Sequence, residues 1–221
     1  MKFVGVDGYR KGWVCFWIDT TGKRGFELIC DLKYLTTFDA ERILIDIPIG
    51  LPCNDYRACD LVARDMLGKA RSRVFLGARR GLLQHMNSFS AANVWAKKNG
   101  KGISQQMFHI LPKIKQVDDF VTPAQQRTVR EMHPERVFLR LNKLAWIDSK
   151  KTNAGLNGRR QLLAEEAFSQ LDSWRISLRG TGVKEDDLFD ACAGALAAQN
   201  PARVNAKTQK DARGLKMDIW Y

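Results

Sequence analysis

Three short apolar runs open the chain, Lys2 to Val6, Trp13 to Ile18 and Phe26 to Cys30, rich in the β-branched and aromatic residues that suit a pleated surface. Gly8 and Gly12 bracket Tyr9-Arg10-Lys11, and Asp19-Thr20-Thr21-Gly22 carries turn chemistry, so the runs predict consecutive antiparallel hairpins. Asp31 is placed to cap a short helix over Leu32 to Phe38. Ile43-Leu44-Ile45-Asp46-Ile47 lacks clean alternation, as expected of a strand covered on both faces. Pro48, Gly50 and Pro52 stop that strand, and Asn54 or Asp55 can start a helix that reaches Gly68.

Between Arg71 and Phe120 several short helical candidates are interrupted by Gly77, Gly81, Gly100 and Gly102. Thr128 to Met132 reads as a fifth strand, followed by a helix with Pro134 in its first turn and Val137, Phe138 and Leu141 turned inward. A loop rich in Lys, Asn and Gly leads to a helix over about residues 156–171, and a further helix spans Lys184 to Gln199. Gly214 to Trp220 alternates apolar and polar residues, which predicts a terminal strand. This order implies an α/β chain: a mixed sheet of three antiparallel strands followed by parallel strands, with helices on both faces. The expected organisation is a single domain over residues 1–221, with a helical insertion at about 54–125 after the fourth strand.

Composition adds location and partner. No apolar run approaches the roughly 20 residues of a membrane span, and Met1-Lys2 leads straight into the first strand, leaving no room for a secretory signal. The five cysteines have no C-x-x-C spacing and the three histidines stand apart, so the expectation is a cytoplasmic protein with reduced cysteines and no His/Cys zinc site. A net charge of +12 attracts polyanions, with nucleic acid, DNA or RNA, as the natural partner; the plainer alternative is a basic surface that only aids solubility.

The chemistry rests on acids. Asp7 leaves a strand end between Gly5 and Gly8, and Asp46 interrupts the most apolar run of the chain, where an ionised carboxylate needs a partner or a metal. Glu131 in the fifth strand offers a third acid, and Asp187 with Asp190 share a face of the last helix with Ala191, Gly194 and Ala198. If that helix docks on the sheet, up to five carboxylates converge and call for magnesium or manganese. Each acid also has a structural reading: Asp7 as a turn residue, Asp46 paired with a buried arginine, Asp187 and Glu135 as helix-start residues. Arg57, Asp60 and Arg64 fall on one helix face, where the arginines either hold a phosphate or are bridged by Asp60. Lys113, Lys115, Lys150, Lys151, Arg159 and Arg160 add positive charge, with Lys113 and Lys150 taken as substrate ligands beside Arg57 and Arg64.

Gly5-Val6-Asp7-Gly8, Gly12-Trp13-Val14, Asp46-Ile47-Pro48-Ile49-Gly50-Leu51-Pro52 and Arg57-Ala58-Cys59-Asp60-Leu61-Val62-Ala63-Arg64 form the first half of a familiar pattern. Leu111-Pro112-Lys113-Ile114, Glu131-Met132-His133-Pro134-Glu135, Ser149-Lys150, Asp187-Leu188-Phe189-Asp190-Ala191 and Gly214-Leu215 complete it. In order and spacing the chain resembles a predicted nuclease family catalogued as domain of unknown function number 429, grouped with ribonuclease H-like nucleases. The resemblance implies a ribonuclease H-like fold, with Asp7 as the first-strand acid, Asp46 the fourth-strand acid, and Asp187 with Asp190 the pair on the C-terminal helix. It implies a hydrolase in which two Mg2+ or Mn2+ ions, held by Asp7, Asp46, Asp187 and Asp190, activate water against a phosphodiester. Two alternatives stand beside it: a non-catalytic module binding nucleic acid or a partner, and an ATP-binding phosphotransferase, which would need a second lobe.

Overall fold

The computed structural model describes residues 1–166 and 168–221. The expected meander is present as β1 (Lys2–Tyr9), β2 (Gly12–Asp19) and β3 (Arg24–Ile29), paired antiparallel in chain order. Its second reversal is built by Asp19, whose Oδ1 accepts the N–H groups of Thr21 and Lys23, both at 2.9 Å. The Asp31 carboxylate caps the next segment by accepting the Lys33 N–H, but Leu32–Thr37 winds as a 3-10 helix. β4 (Ala40–Ile45) then runs parallel to β1, with Gly5 opposite Leu44 and Val6 opposite Ile45. Ile43, Leu44 and Ile45 are all buried, which is why this run shows no alternation.

The remaining elements are α1 (Ala58–Leu67), α2 (Phe89–Lys98), α3 (Gln105–Phe120), β5 (Val129–Glu131), α4 (Pro134–Leu141), α5 (Asn153–Glu165), α6 (Leu171–Ser177), α7 (Glu185–Gln199), β6 (Gln209–Lys210) and β7 (Lys216–Met217). The main sheet is mixed, with strand order β3-β2-β1-β4-β5, so the chain is α/β as its pattern implies. The helix expected over 156–171 is instead α5 and a separate α6; the part of that expectation at residue 167 lies outside the described residues.

The chain divides into two compact units: Met1–Asp46 with Met132–Ala202 and Tyr221, and Ile47–Glu131 with Arg203–Trp220. The insertion expected at about 54–125 falls inside the second of these.

In the first unit α7 lies across β1, β2 and β4 and is flanked by α4 and α5. Its small residues are the reason it can. A Cβ on Gly5 would stand 2.0 Å from the Ala191 carbonyl oxygen and 2.4 Å from the Ala195 nitrogen, and one on Gly194 would stand 2.9 Å from the Gly5 Cα. Strand and helix backbones therefore touch, and nearly every α7 side chain from Leu188 to Ala198 is buried. Beside this contact Phe16 packs against Phe168 and Trp174, with ring centroids 5.3 and 4.9 Å away.

In the second unit buried Arg79 donates to the carbonyl oxygens of Ala96, Asn99 and Lys101, tying the end of α2 to the loop that precedes α3. Arg80 bridges Asp118 and Asp211 at 2.8 and 2.7 Å. The terminal strand expected over Gly214 to Trp220 shrinks to β7, paired only with β6, and an isolated bridge from Trp220 to Arg203. The physical reason is a side chain: Gln126 accepts the Lys216 N–H and donates to the Lys216 carbonyl, so an amide takes the place of a neighbouring strand.

Candidate active site

Asp7 sits in β1 two residues after Gly5 and therefore on the same sheet face, the one that meets α7. Asp46 follows β4 directly and donates its N–H to the Val6 carbonyl at 3.0 Å, extending the parallel register so that it stands beside Asp7. Asp187 and Asp190 come from the first turns of α7, whose position the Gly5 contact sets. Lys150 enters from the turn between α4 and α5, with its ammonium 2.5 Å from Asp190 Oδ2 and 3.4 Å from Asp186 Oδ2. All of these residues belong to the first unit.

The carboxylates feel one another. Asp7 is 8% exposed; burial, then the charges of Asp190 and Asp46, raise its pKa well above the ordinary range, against the pull of Lys150. Burial likewise raises Asp190, with Lys150 opposing. Asp187 is pushed up to about 6, mainly by burial, although its Oδ2 accepts the Lys184 N–H at 2.8 Å. That bond makes Asp187 a helix-start residue, the structural reading of this position. Burial pulls the Lys150 ammonium down, yet the charges of Asp190 and Asp7 outweigh it and hold its pKa above the ordinary lysine value. Lys150 thus acts on all five carboxylates of this region, counting Asp186.

A buried scaffold holds that lysine. Arg159 is fully buried and clamps both Glu135 oxygens at 2.7 and 2.8 Å while donating to the Asp148 carbonyl at 2.8 Å. Thr152 donates through N–H and hydroxyl to the Ser149 carbonyl, and Gly155 lets that carbonyl come close, since a Cβ there would stand 2.0 Å away. Arg159 is therefore an anchor of the Lys150 turn and is not part of a surface that meets nucleic acid.

Glu131 and Arg57, expected as a third acid and a phosphate ligand, are occupied with each other in the second unit. Arg57 is 2% exposed; it donates to Glu131 Oε2 and Oε1 at 2.6 and 2.7 Å and to Asp60 Oδ2 and Oδ1 at 3.0 and 2.5 Å. Glu131 Oε2 also accepts the Ile49 N–H at 2.7 Å. No donor of Arg57 is left facing solvent for a phosphate, and both Glu131 oxygens are taken. Arg64, half-buried, reaches the Val74 carbonyl at 3.4 Å, and Lys113 lies half-buried on α3; both are in the second unit. Lys150, expected as a substrate ligand, has its charge turned onto Asp190 and Asp186.

Sequence reasoning missed Asp186. Its spacing from Asp190, i to i+4, put both on one face of α7, and the same rule that selected Asp187 with Asp190 could have found it. The Glu135–Arg159 pair left no comparable signal, because the partners lie 24 residues apart.

Burial of so many acids fixes a pH dependence. In the folded state Asp187 titrates at about 6 and Glu131, raised by burial against the pull of Arg57, at about 7. Between their ordinary values and these, the folded chain binds more protons than the unfolded chain, so stability falls as pH rises through this window. Without divalent ions, the melting temperature at pH 5 should exceed that at pH 7.5, and Asp187→Asn should narrow the gap. A melting temperature that is flat or climbs from pH 5 to 7.5 would contradict the assignment.

Among the described residues no three His, Cys, Asp or Glu side chains stand close enough together to share a metal ion as placed, and no helix is long and apolar enough to cross a membrane. Architecture and site define an α/β protein with a buried acidic centre at the ends of two parallel strands. Residues 5–211 match the family model described as "Protein of unknown function (DUF429)", and the chain belongs to that family. No curated protein and no solved structure matches it.

Proposed function

We propose that this protein is a metal-dependent nuclease of ribonuclease H-like fold that hydrolyses phosphodiester bonds of DNA or RNA in the cytoplasm. The observation that carries the reading is that Asp46, at the end of the strand beside Asp7, and Asp187 and Asp190 of α7 lie near enough for their charges to raise the pKa of buried Asp7. Asp190 is paired with Lys150, yet Asp190, Asp46 and Asp187 each raise Asp7, an arrangement that a divalent cation relieves. The donor set is all carboxylate oxygen, which fits Mg2+ or Mn2+ in kind. No three acids share an ion as they stand, so Asp7, Asp46, Asp187 and Asp190 would have to draw together to hold one, which when bound would supply Lewis acidity toward a water and a phosphate oxygen.

The chain's own contribution is placement. The backbone contact of Gly5 with Ala191 sets the distance from sheet to helix, and Lys150 orients Asp190. A cavity of about 370 Å³ beside the start of α7 is lined by Arg160 and Arg175, which pair with Asp172 and Glu185 in the same wall, and by Arg179 and Lys184; the +12 net charge is what favours a polyanion. All five cysteines are free, in keeping with a reducing compartment.

Asp7→Asn and Asp46→Asn should leave the fold intact and reduce Mg2+- or Mn2+-dependent cleavage of nucleic acid by about a thousandfold. Cleavage that persists in both variants, or a wild-type protein inert with either ion on duplex, single-stranded and branched DNA and RNA, would sink the proposal. Salt-sensitive binding without cleavage would point to a non-catalytic nucleic-acid module instead.

A further inference from the structure

We infer that the turn after α4 is a stacking platform for an unpaired base of single-stranded nucleic acid, with the Trp146 ring as its stacking face and Leu144 of the same turn as a wedge. The inference rests on the nucleic-acid reading above and names the part of the substrate that is gripped. α4 ends in a Schellman closure: Leu144 donates its N–H to the Leu139 carbonyl at 2.8 Å, and Lys143 donates to the Arg140 carbonyl at 3.0 Å. A glycine usually takes the left-handed position of such a closure, and the residue after it usually packs back on the helix. This turn does otherwise. Lys143 and Leu144 both have positive φ, 51° and 67°, and Leu144 at 69% is the most exposed large apolar side chain among the described residues. A bulky residue is thus held in a strained conformation, and burial does not repay the strain.

The rest of the turn fixes that display. The Asn142 side-chain amide donates to the carbonyls of Ala145 and Trp146 at 3.1 and 3.3 Å, and the Ala145 N–H returns to the Asn142 carbonyl at 2.8 Å. Trp146 donates its indole N–H to Asp148 Oδ1 at 3.2 Å, which sets the ring while the residue stays 51% exposed. A preorganised aromatic face loses little freedom on binding. The surrounding charge selects the occupant. From Arg140 to Lys151 the chain carries four basic residues and one acid, and among the described residues neither exposed Lys143 nor exposed Lys151 pairs with a carboxylate. An aromatic face flanked by cations matches a nucleotide, base and phosphate together. Two apolar side chains fall short of the roughly 800 Å² per side of a stable protein interface, whereas one base needs only one ring. Trp146 also lies four residues before Lys150, whose ammonium meets Asp190, so the chain between them spans at most about 14 Å and a strand held on the ring stays near the acidic centre.

The test is a titration of the full-length protein with a short oligothymidylate and with an abasic strand of equal length, without divalent ions so that no cleavage intervenes. Fluorescence anisotropy reads affinity, and tryptophan emission reads stacking, because Trp146 is the one exposed tryptophan among the described residues. Wild type should prefer the thymidylate strand and be quenched by it. Trp146→Ala should bind that strand about tenfold more weakly and lose both preference and quenching, while Trp146→Phe keeps most of the affinity. Leu144→Gly gives the left-handed position its favoured residue, so it should resist urea at least as well as wild type and yet bind more weakly. Equal affinity of wild type for the two strands, no binding of either, or wild-type affinity in Trp146→Ala would overturn the inference. So would quenching by phosphatidylserine vesicles and not by the oligonucleotide, which would make the turn a membrane contact. The nuclease proposal is decided separately by cleavage in Asp7→Asn and Asp46→Asn; Trp146-dependent binding by a protein that cleaves nothing would end that proposal and uphold this inference.

Discussion

Gly5→Val should cost about 3 kcal/mol or more of stability, the upper end of what overpacking a core imposes. The Cβ alone would stand 2.0 Å from the Ala191 carbonyl oxygen and 2.4 Å from the Ala195 nitrogen. Both are helix backbone atoms, so no rotamer change can relieve the clash; α7 has to move as a body. Because α7 carries Asp187 and Asp190, the same shift should abolish the proposed metal-dependent cleavage even in the fraction that folds. Gly158→Ala is the matched control: its nearest neighbour to a new Cβ is the Ile147 side chain at 3.9 Å, within α5, and the change should stabilise by about 0.4–1 kcal/mol. Urea unfolding of the two variants checks this. A Gly5→Val protein as stable as wild type would mean that strand and helix do not touch.

The second large effect is expected at Arg57. Arg57→Ala leaves Glu131 and Asp60, 5% and 1% exposed, buried without the guanidinium that sits between them. Removing one partner of a buried ion group usually costs about 3–5 kcal/mol, because the remaining charge is stranded. The loss should grow as pH rises above about 7, where Glu131 is otherwise able to shed its proton. Adding Glu131→Gln to Arg57→Ala should recover part of the stability, since one stranded charge becomes a neutral amide. Denaturant unfolding at pH 5.5 and 8 measures both. If Arg57→Ala unfolds within about 1 kcal/mol of wild type, the cluster is not the buried anchor described. The proposed cleavage is a separate readout: the residues assigned to the acidic centre lie in the other unit.

The strands were legible because they obey local rules. Alternating runs broken by Gly and by the Asp19 turn are enough to draw β1, β2 and β3, and the unbroken Ile43-Leu44-Ile45 announces a strand covered on both sides. The terminal strand was over-read because alternation in Gly214 to Trp220 records one buried face, and burial says nothing about what fills the hydrogen bonds; Gln126 does. The acids at Asp7, Asp46, Asp187 and Asp190 stood out since a carboxylate in an apolar run or on a small-residue helix face is costly unless something compensates it.

What residue type and order determined by themselves is the α/β element order and the set of acids that need an explanation. What only the tertiary structure decided is the division of labour among the charges. Glu131 and Arg57 looked like an acid and a phosphate ligand, yet they neutralise each other; Arg159 looked like a surface cation, yet it is buried on Glu135; Lys150 looked like a substrate ligand, yet it faces Asp190. The physical reason is that a charge is the same in sequence whether it meets water, a substrate or an opposite charge. Coulomb attraction acts over a few ångströms of space, and partners 74, 24 and 40 residues apart are chosen only when the chain has folded.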